Sequence, residues 1–586
     1  MSKKLNICLK NTILLLFLIF SLTGCNSILK EKVTTDEAFA EFTNELFITD
    51  ISQNTINLHY TISNPSDYGI EDYPVTLGTV SEQSILASYA STEECLKLLK
   101  KFNYDKLNSS NQLTYDILTT YLETELEYRD YYLYNSYLGP TTGTQAQLPI
   151  LLAEYKFNTK RDIDDYLGLL ETIDTYYRSI MDFEQLKSDS GLFMNDVIAD
   201  QIIAQCEAFI SDPENNYLLD VFTDKLDEFS TLTDTEKVDY EERHIELLYN
   251  NVIPAYQIII NGLKSLKGTG VNEGGLCNFE DGKTYYEYLL KNYVGTGDSP
   301  RKVQARIEEE IDSSIKTIQT IVQNNPDILN ELYSTDLPES TPIEIIEDLK
   351  VKMADDYPTP PNTNYDIKYV HKSLEEHLSP AFYLVPPIDD ISNNSIYINN
   401  GADYTNLGLY TTLAHEGYPG HLYQSIYSNV SEPNNVRSLL GFGGYIEGWA
   451  TYVEMRSFAY ADLDKDLLAI SQLEQSFSLA LYCMVDLGVN YDGWDLDYTG
   501  KYLSLIGLSD SETISAIYYA VIENPANYLR YYYGYLNFED LRTKTEKALG
   551  RNFNLQDFHQ VILEIGPCSF PTLEKYLDIY IEEASK

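Results

Sequence analysis

Cysteine, tryptophan and positive charge are scarce in this chain. Its 586 residues hold seven cysteines, two tryptophans, and 41 lysines and arginines against 90 aspartates and glutamates. Beyond the first 25 residues the cysteines are Cys95, Cys206, Cys277, Cys483 and Cys568, widely spaced and without a Cys-x-x-Cys pair. That spacing points neither to a cysteine metal site nor to a disulfide framework, and an odd number leaves at least one thiol unpaired. Such residues suit small buried apolar positions. A formal net charge of −49 repels phosphates and argues against nucleic acid as a partner. It suits a solvated surface outside a cell. No repeat of fixed period is visible. After Phe20 no apolar run approaches the roughly 20 residues that a spanning helix needs.

The chain does have a distinctive beginning. Lys3, Lys4 and Lys10 precede the apolar run Ile13 to Phe20, and small residues follow. A basic start, a short apolar stretch and a small-residue cleavage point make a secretory signal. Leu22-Thr23-Gly24-Cys25 resembles a bacterial lipobox. The resemblance implies that residues 1–24 are removed and that Cys25 becomes an acylated N-terminus. Residues 25–35 then read as a tether.

The rest reads as helical. Phe39, Phe42, Leu46 and Phe47 recur at steps of three and four, as do Leu96, Leu99 and Phe102, and Leu113, Ile117, Leu118, Tyr121 and Leu122. Asp162 to Met181, Val197 to Ile210 and Ile307 to Ile321 extend the pattern. Glycine or proline breaks fall at Gly139-Pro140, Gly268 to Gly275, Gly295 to Pro300 and Pro358 to Pro361. The organisation expected is an N-terminal helical region over 36–360 and a C-terminal helical region over 361–586. Only Ala381 to Pro387 and Ser395 to Asn399 break the rhythm, and both read as short strands. A strand there can offer its edge to an extended peptide or serve as a plain structural hairpin.

Two of the seven histidines lie together in His415-Glu416-Gly417-Tyr418-Pro419-Gly420-His421, and Glu447 follows in Tyr445-Ile446-Glu447-Gly448-Trp449-Ala450. Neutral imidazoles and a carboxylate hold zinc, and a second carboxylate takes a proton from water. The histidines are six residues apart, whereas a regular metalloprotease helix spaces them four apart. Six residues turn a helix by about 600°, which puts the two on different faces. Pro419 lacks an N–H and clashes with the carbonyl of His415, so a kink or bulge is expected at Tyr418 to Gly420, returning His421 to the face of a second ligand. Thr405 or Asn406 is the expected N-cap. Glu416 is placed as a general base. Glu447, Thr451 and Glu454 share a helix face. Glu447 then serves as metal ligand and Glu454 as the group that orients a ligand. Trp449 is expected to pack the two helices together.

These residues, His415-Glu416-x-x-Pro419-Gly420-His421-x-x-Gln424, resemble the first signature of the bacterial domain of unknown function 885 family. Glu447-Gly448-Trp449-Ala450 with Tyr452 and Glu454 resembles the second. Tyr531-x-x-Gly534, Leu541-Arg542, Leu549-Gly550, Phe553, Phe558-His559 and Leu563 to Gly566 resemble a third, in the same order. The chain departs from the pattern at Cys568-Ser569-Phe570, before Pro571. The resemblance covers about residues 36–583 as one continuous domain. The family is in turn similar to the zincin peptidases, in which a distant glutamate is the third ligand. It therefore implies a mainly α fold: a large helical zincin-like peptidase with a deep channel, a small β element before the catalytic helix, and short peptides as substrates.

On that basis His415, His421 and Glu447 are the expected ligands of Zn2+, although manganese or cobalt suits such a set too. Glu416 is the expected base. Tyr531 is the first candidate for stabilising charge on the scissile carbonyl oxygen and His559 the second, with core packing an equal alternative for His559. Arg542 can pair a substrate carboxylate or, in the preferred reading, Glu539 or Glu546 on its own helix. His371 and His377 flank acids and read as surface residues, while His59 and His244 carry no context. The function expected is a lipid-anchored, extracytoplasmic, zinc-dependent peptidase acting on oligopeptides, of carboxypeptidase or oligopeptidase type. A non-catalytic lipoprotein that captures peptides or other solutes is the alternative from another class, and a hydrolase of non-peptide amides is a third.

Overall fold

A computed structural model describes residues 35–586 apart from Tyr333 and positions 371, 373, 374, 376–378 and 432–433. The expected signal, the tether up to residue 34, the Cys25 anchor, His371 and His377 lie outside the described residues. The architecture is mainly helical with one three-stranded sheet. No described helix is long and apolar enough to cross a membrane.

Local signals start the helices where the sequence pattern does. Thr35 caps Asp36–Ile51 by accepting the N–H of Ala38. Ser81 with Ser84, and Thr159 with Asp162, form reciprocal caps on Glu82–Leu99 and Lys160–Asp189. Each satisfies N–H groups that a helix start otherwise leaves orphaned. Asp36–Ile51 buries Phe39, Phe42, Leu46 and Phe47, the residues whose spacing marks the helix.

Two large apolar cores result. One is built from residues between Ile56 and Leu266, with the long Lys160–Asp189 helix contributing Tyr166, Leu170, Ile173 and Tyr177. The other draws on both ends of the chain, packing Phe39, Phe102 and Tyr286 with Tyr418, Trp449 and Phe558. Among the described residues the five cysteines form no disulfide with one another, and Cys277 alone is not buried.

The sheet has three strands where the sequence marks two. β1 (Asn364–Tyr369) runs parallel to β3 (Asn393–Ile398), and β2 (Ala381–Leu384) runs antiparallel to β3 on its other side. β1 is mostly exposed, alternating half-buried Tyr365 and Ile367 with exposed Asp366 and Lys368. Its charged residues hide it from a search for apolar runs. β2 is an edge strand and stops before Pro386 and Pro387, which cannot donate to a ladder.

The tightest helix pair joins Gly443–Ser457 to Asn527–Leu549. Its backbones touch: a Cβ on Gly448 would lie 2.6 Å from the carbonyl carbon of Gly534, and one on Gly534 would lie 2.4 Å from Gly444 O. Neither obstacle is a movable side chain. Alanine favours a helix over glycine by about 1 kcal/mol, yet overpacking costs roughly 1–3 kcal/mol. Gly534→Ala is therefore expected to lower the thermal unfolding midpoint. A raised midpoint would show that these helices do not pack backbone to backbone.

Candidate metal centre

The helix Asn406–Glu416 begins at Thr405, whose side chain accepts the N–H of Gly408. It ends at the two residues of interest, His415 and Glu416. The Gly417 N–H closes the last turn on Leu413 O at 2.8 Å. The chain does not continue as a bulged helix, as the sequence suggests. It breaks, turns through a cis Tyr418–Pro419 peptide and starts a second helix, His421–Ser431. Pro419 cannot supply an N–H to a continuing helix. Gly420 presses on the helix end: a Cβ there would sit 1.8 Å from His415 O and 2.4 Å from Ala414 O. Only glycine permits that approach. Tyr423 N–H to Gly417 O (3.2 Å) and Gln424 N–H to Gly420 O (2.8 Å) tie the new helix to the turn. Trp449 holds the loop from the neighbouring helix, donating Nε1–H to Pro419 O at 3.0 Å.

The break brings the imidazoles together edge-on, their planes at 74°, with His415 Nε2 and His421 Nε2 3.2 Å apart. Glu447, in the first turns of Gly443–Ser457, brings Oε2 to 3.7 Å from the former and 3.4 Å from the latter. A cation bonded at about 2.0–2.1 Å in tetrahedral geometry holds its ligands about 3.3–3.5 Å apart. The three separations bracket that value. They exceed the roughly 2.7–2.9 Å of a charge-assisted hydrogen bond. Three lone-pair donors thus surround a common point.

Glu454 Oε2 lies 2.6 Å from His415 Nδ1, and Gln475 Nε2 donates to Glu454 Oε1 at 2.6 Å. The carboxylate accepts, so the ring hydrogen of His415 sits on Nδ1 and the Nε2 lone pair points at the other two ligands. Burial would push the Glu447 carboxyl up, but His421 and His415 outweigh it and hold the group well below the ordinary carboxylate range. His415, Glu416, His421, Glu447 and Glu454 are each no more than 5% exposed. A buried charge without a partner is costly, and a divalent cation is the partner this donor set fits.

Glu416 is fully buried, and its Oε2 accepts the N–H of Tyr383 on β2 at 3.0 Å. The edge strand therefore fixes the carboxylate that follows the first histidine. Tyr531 is buried on Asn527–Leu549, its ring 5.8 Å from the guanidinium of Arg530.

Two candidates take structural positions. His559 is buried, stacked on Tyr357 at 4.2 Å and edge-on to Trp449. Its Nδ1–H donates to Asp356 O at 2.7 Å, so Nε2 accepts from Tyr452 O–H at 2.9 Å. Burial pushes it down to about 3, and both nitrogens are engaged. It packs the core rather than joining the histidines. Arg542 pairs with Glu539 at 2.7 Å and Glu546 at 3.2 Å, the helix-internal reading. Sequence reasoning missed Gln475, which no local pattern marks, and Arg530, which adjoins Tyr531 in the third motif.

A cavity of about 300 Å³ reaches Glu447. Tyrosines recur in its wall, among them Tyr121, Tyr128, Tyr285 and Tyr293, and Glu125 and Arg530 line it as well.

Residues 65–577 match the family described as "Bacterial protein of unknown function (DUF885)", and the chain belongs to that family. The comparison with curated proteins finds no match. Among solved structures, a candidate lipoprotein from Colwellia psychrerythraea superimposes with a TM-score of 0.82 at 17% identity, covering 94% of this chain and 100% of that one. A candidate lipoprotein of unknown function from Shewanella oneidensis gives a TM-score of 0.63 at 16% identity, covering 92% and 99%. These likenesses show a shared fold.

If the three donors hold a cation, His421→Ala is expected to abolish stoichiometric divalent-metal binding in equilibrium dialysis. Glu454→Ala is expected to weaken it by roughly 10- to 100-fold, the usual effect of removing a ligand's orienting partner. Unchanged affinity in both variants would remove the centre.

Proposed function

We propose that this member of the DUF885 family is a zinc-dependent peptidase that hydrolyses oligopeptides, anchored through an acylated Cys25 on the extracytoplasmic face of the membrane. The observation that carries the reading is the convergence of His415 Nε2, His421 Nε2 and Glu447 Oε2 at separations of 3.2–3.7 Å, with Glu416 adjacent in sequence to the first ligand. Two imidazoles and one carboxylate suit zinc and leave a position for water or substrate. The family is similar to the zincin peptidases, although its histidines are six rather than four residues apart, and the reading inherits that resemblance.

His415, His421 and Glu447 would hold the metal, with Glu454 and Gln475 keeping His415 in the tautomer that offers Nε2. Zinc, when bound, supplies a Lewis acid that polarises a carbonyl and makes a bound water more acidic. Glu416 takes the proton from the attacking water and returns it to the leaving amine. The Tyr383 N–H steadies one oxygen of that carboxylate. Tyr531 remains the candidate donor to the oxygen on which charge develops.

In a zinc-loaded preparation, Glu416→Gln is expected to keep its metal and lose cleavage of a mixed peptide library by roughly 100- to 10,000-fold. Cleavage at the wild-type rate would rule out this base. Peptide binding by metal-free protein without any hydrolysis would favour the capture alternative. Labelling of the expressed protein with a fatty-acid analogue should disappear in Cys25→Ser; persistence of the label would remove the anchor.

A further inference from the structure

Arg530 is the unusual residue of the cavity beside Glu447. It is 5% exposed. One Nη2 hydrogen is taken by Asn527 Oδ1, while Nε has no hydrogen-bond partner. Its other close neighbours are aromatic, with the rings of Tyr293 and Tyr531 each 5.8 Å from the guanidinium carbon. Among the described residues no carboxylate forms an ion pair with it, although other buried or half-buried cations do find one: Arg542 has Glu539, Arg306 has Asp540 and Lys187 has Glu184. In a chain with 90 acidic residues against 41 basic ones, a buried arginine left without an acid is conspicuous.

The site is also built around it. A Cβ at Gly443 would lie 2.7 Å from Arg530 Cδ, so the start of the Glu447 helix leaves space for this side chain. Tyr293, Gly443, Glu447 and Arg530 then share one cavity wall. A guanidinium carries five N–H donors in a planar fork that matches a carboxylate. Glu125 and Glu447 line the same cavity without forming an ion pair with it; a buried guanidinium left without a paired anion costs free energy, and a ligand carboxylate can supply that partner.

We infer that Arg530 binds the free C-terminal carboxylate of a short peptide lying in this cavity. The inference rests on the peptidase reading for the identity of the ligand, and it makes the protein selective for bonds near a peptide's C-terminus. The cavity, about 300 Å³ with a wall rich in tyrosine, accommodates one or a few residues beyond the cleaved bond. An endopeptidase that accepts long chains in both directions has no use for a buried, unpaired cation beside a metal ligand.

The test uses full-length Glu416→Gln protein, loaded with zinc, and two mixtures of N-acetylated tripeptides that differ only in ending as a free acid or an amide. Binding is read by calorimetry, apart from turnover. The acid mixture is expected to bind roughly 10- to 100-fold more tightly than the amide mixture, the worth of a hydrogen bond to a charged group. Adding Arg530→Met should erase that preference while leaving amide binding unchanged, and Arg530→Lys should restore part of it. No preference before the second substitution, binding of neither mixture included, overturns the assignment. So does equal loss of acid and amide binding in both arginine variants. If the acid preference is present but zinc-loaded protein with Glu416 intact hydrolyses neither mixture, the peptidase reading falls and the carboxylate site stands.

Discussion

The contact between Gly420 and the carbonyl of His415 decides what the rest of the site can be. Two histidines six residues apart cannot share a face of an unbroken helix. Here the helix ends, and the loop returns so tightly that no side chain fits at Gly420. Pro419 denies the chain the alternative of continuing, and its own carbonyl is held by Trp449. The six-residue spacing is thereby converted into two imidazoles whose Nε2 atoms converge. Any residue larger than glycine at that turn would push His421 away from His415.

The second constraint is the backbone contact between Gly448 and Gly534. It lets the helix carrying Glu447 and Glu454 lie against the helix carrying Arg530 and Tyr531 with no side chains between them. One helix therefore supplies both a candidate ligand and the group that holds the ring of another, seven residues apart in sequence and so two turns apart on the same face. The other brings a cation to the same cavity. Glu447, Glu454 and the buried Arg530 all depend on two glycines that a propensity scale would count as flaws.

Much of this was legible in the sequence. The helical class follows from apolar spacing of the kind seen at Phe39, Phe42 and Leu46. The three converging residues follow from the chemistry of His, Glu and a distant Glu, and Glu454 from its position one face along. What could not be read was how the Pro-Gly step is made. A bulge and a clean break satisfy the same residues, and only the contact with His415 O distinguishes them. β1 escaped because Asp366 and Lys368 interrupt its apolar residues. His559 illustrates the converse: a histidine in a family motif is as well explained by stacking on Tyr357 and two satisfied nitrogens as by chemistry. Arg530 went unnoticed because burial and the absence of an acidic partner are tertiary properties, invisible from its neighbours in the chain.

The central claim is geometric, and anomalous diffraction at the zinc edge from crystals grown with zinc tests it most directly. The account predicts a single dominant peak about 2.0–2.2 Å from His415 Nε2, His421 Nε2 and a carboxylate oxygen of Glu447. A peak bound elsewhere, or a refined structure in which the two imidazoles and Glu447 turn away from any common point, would contradict it.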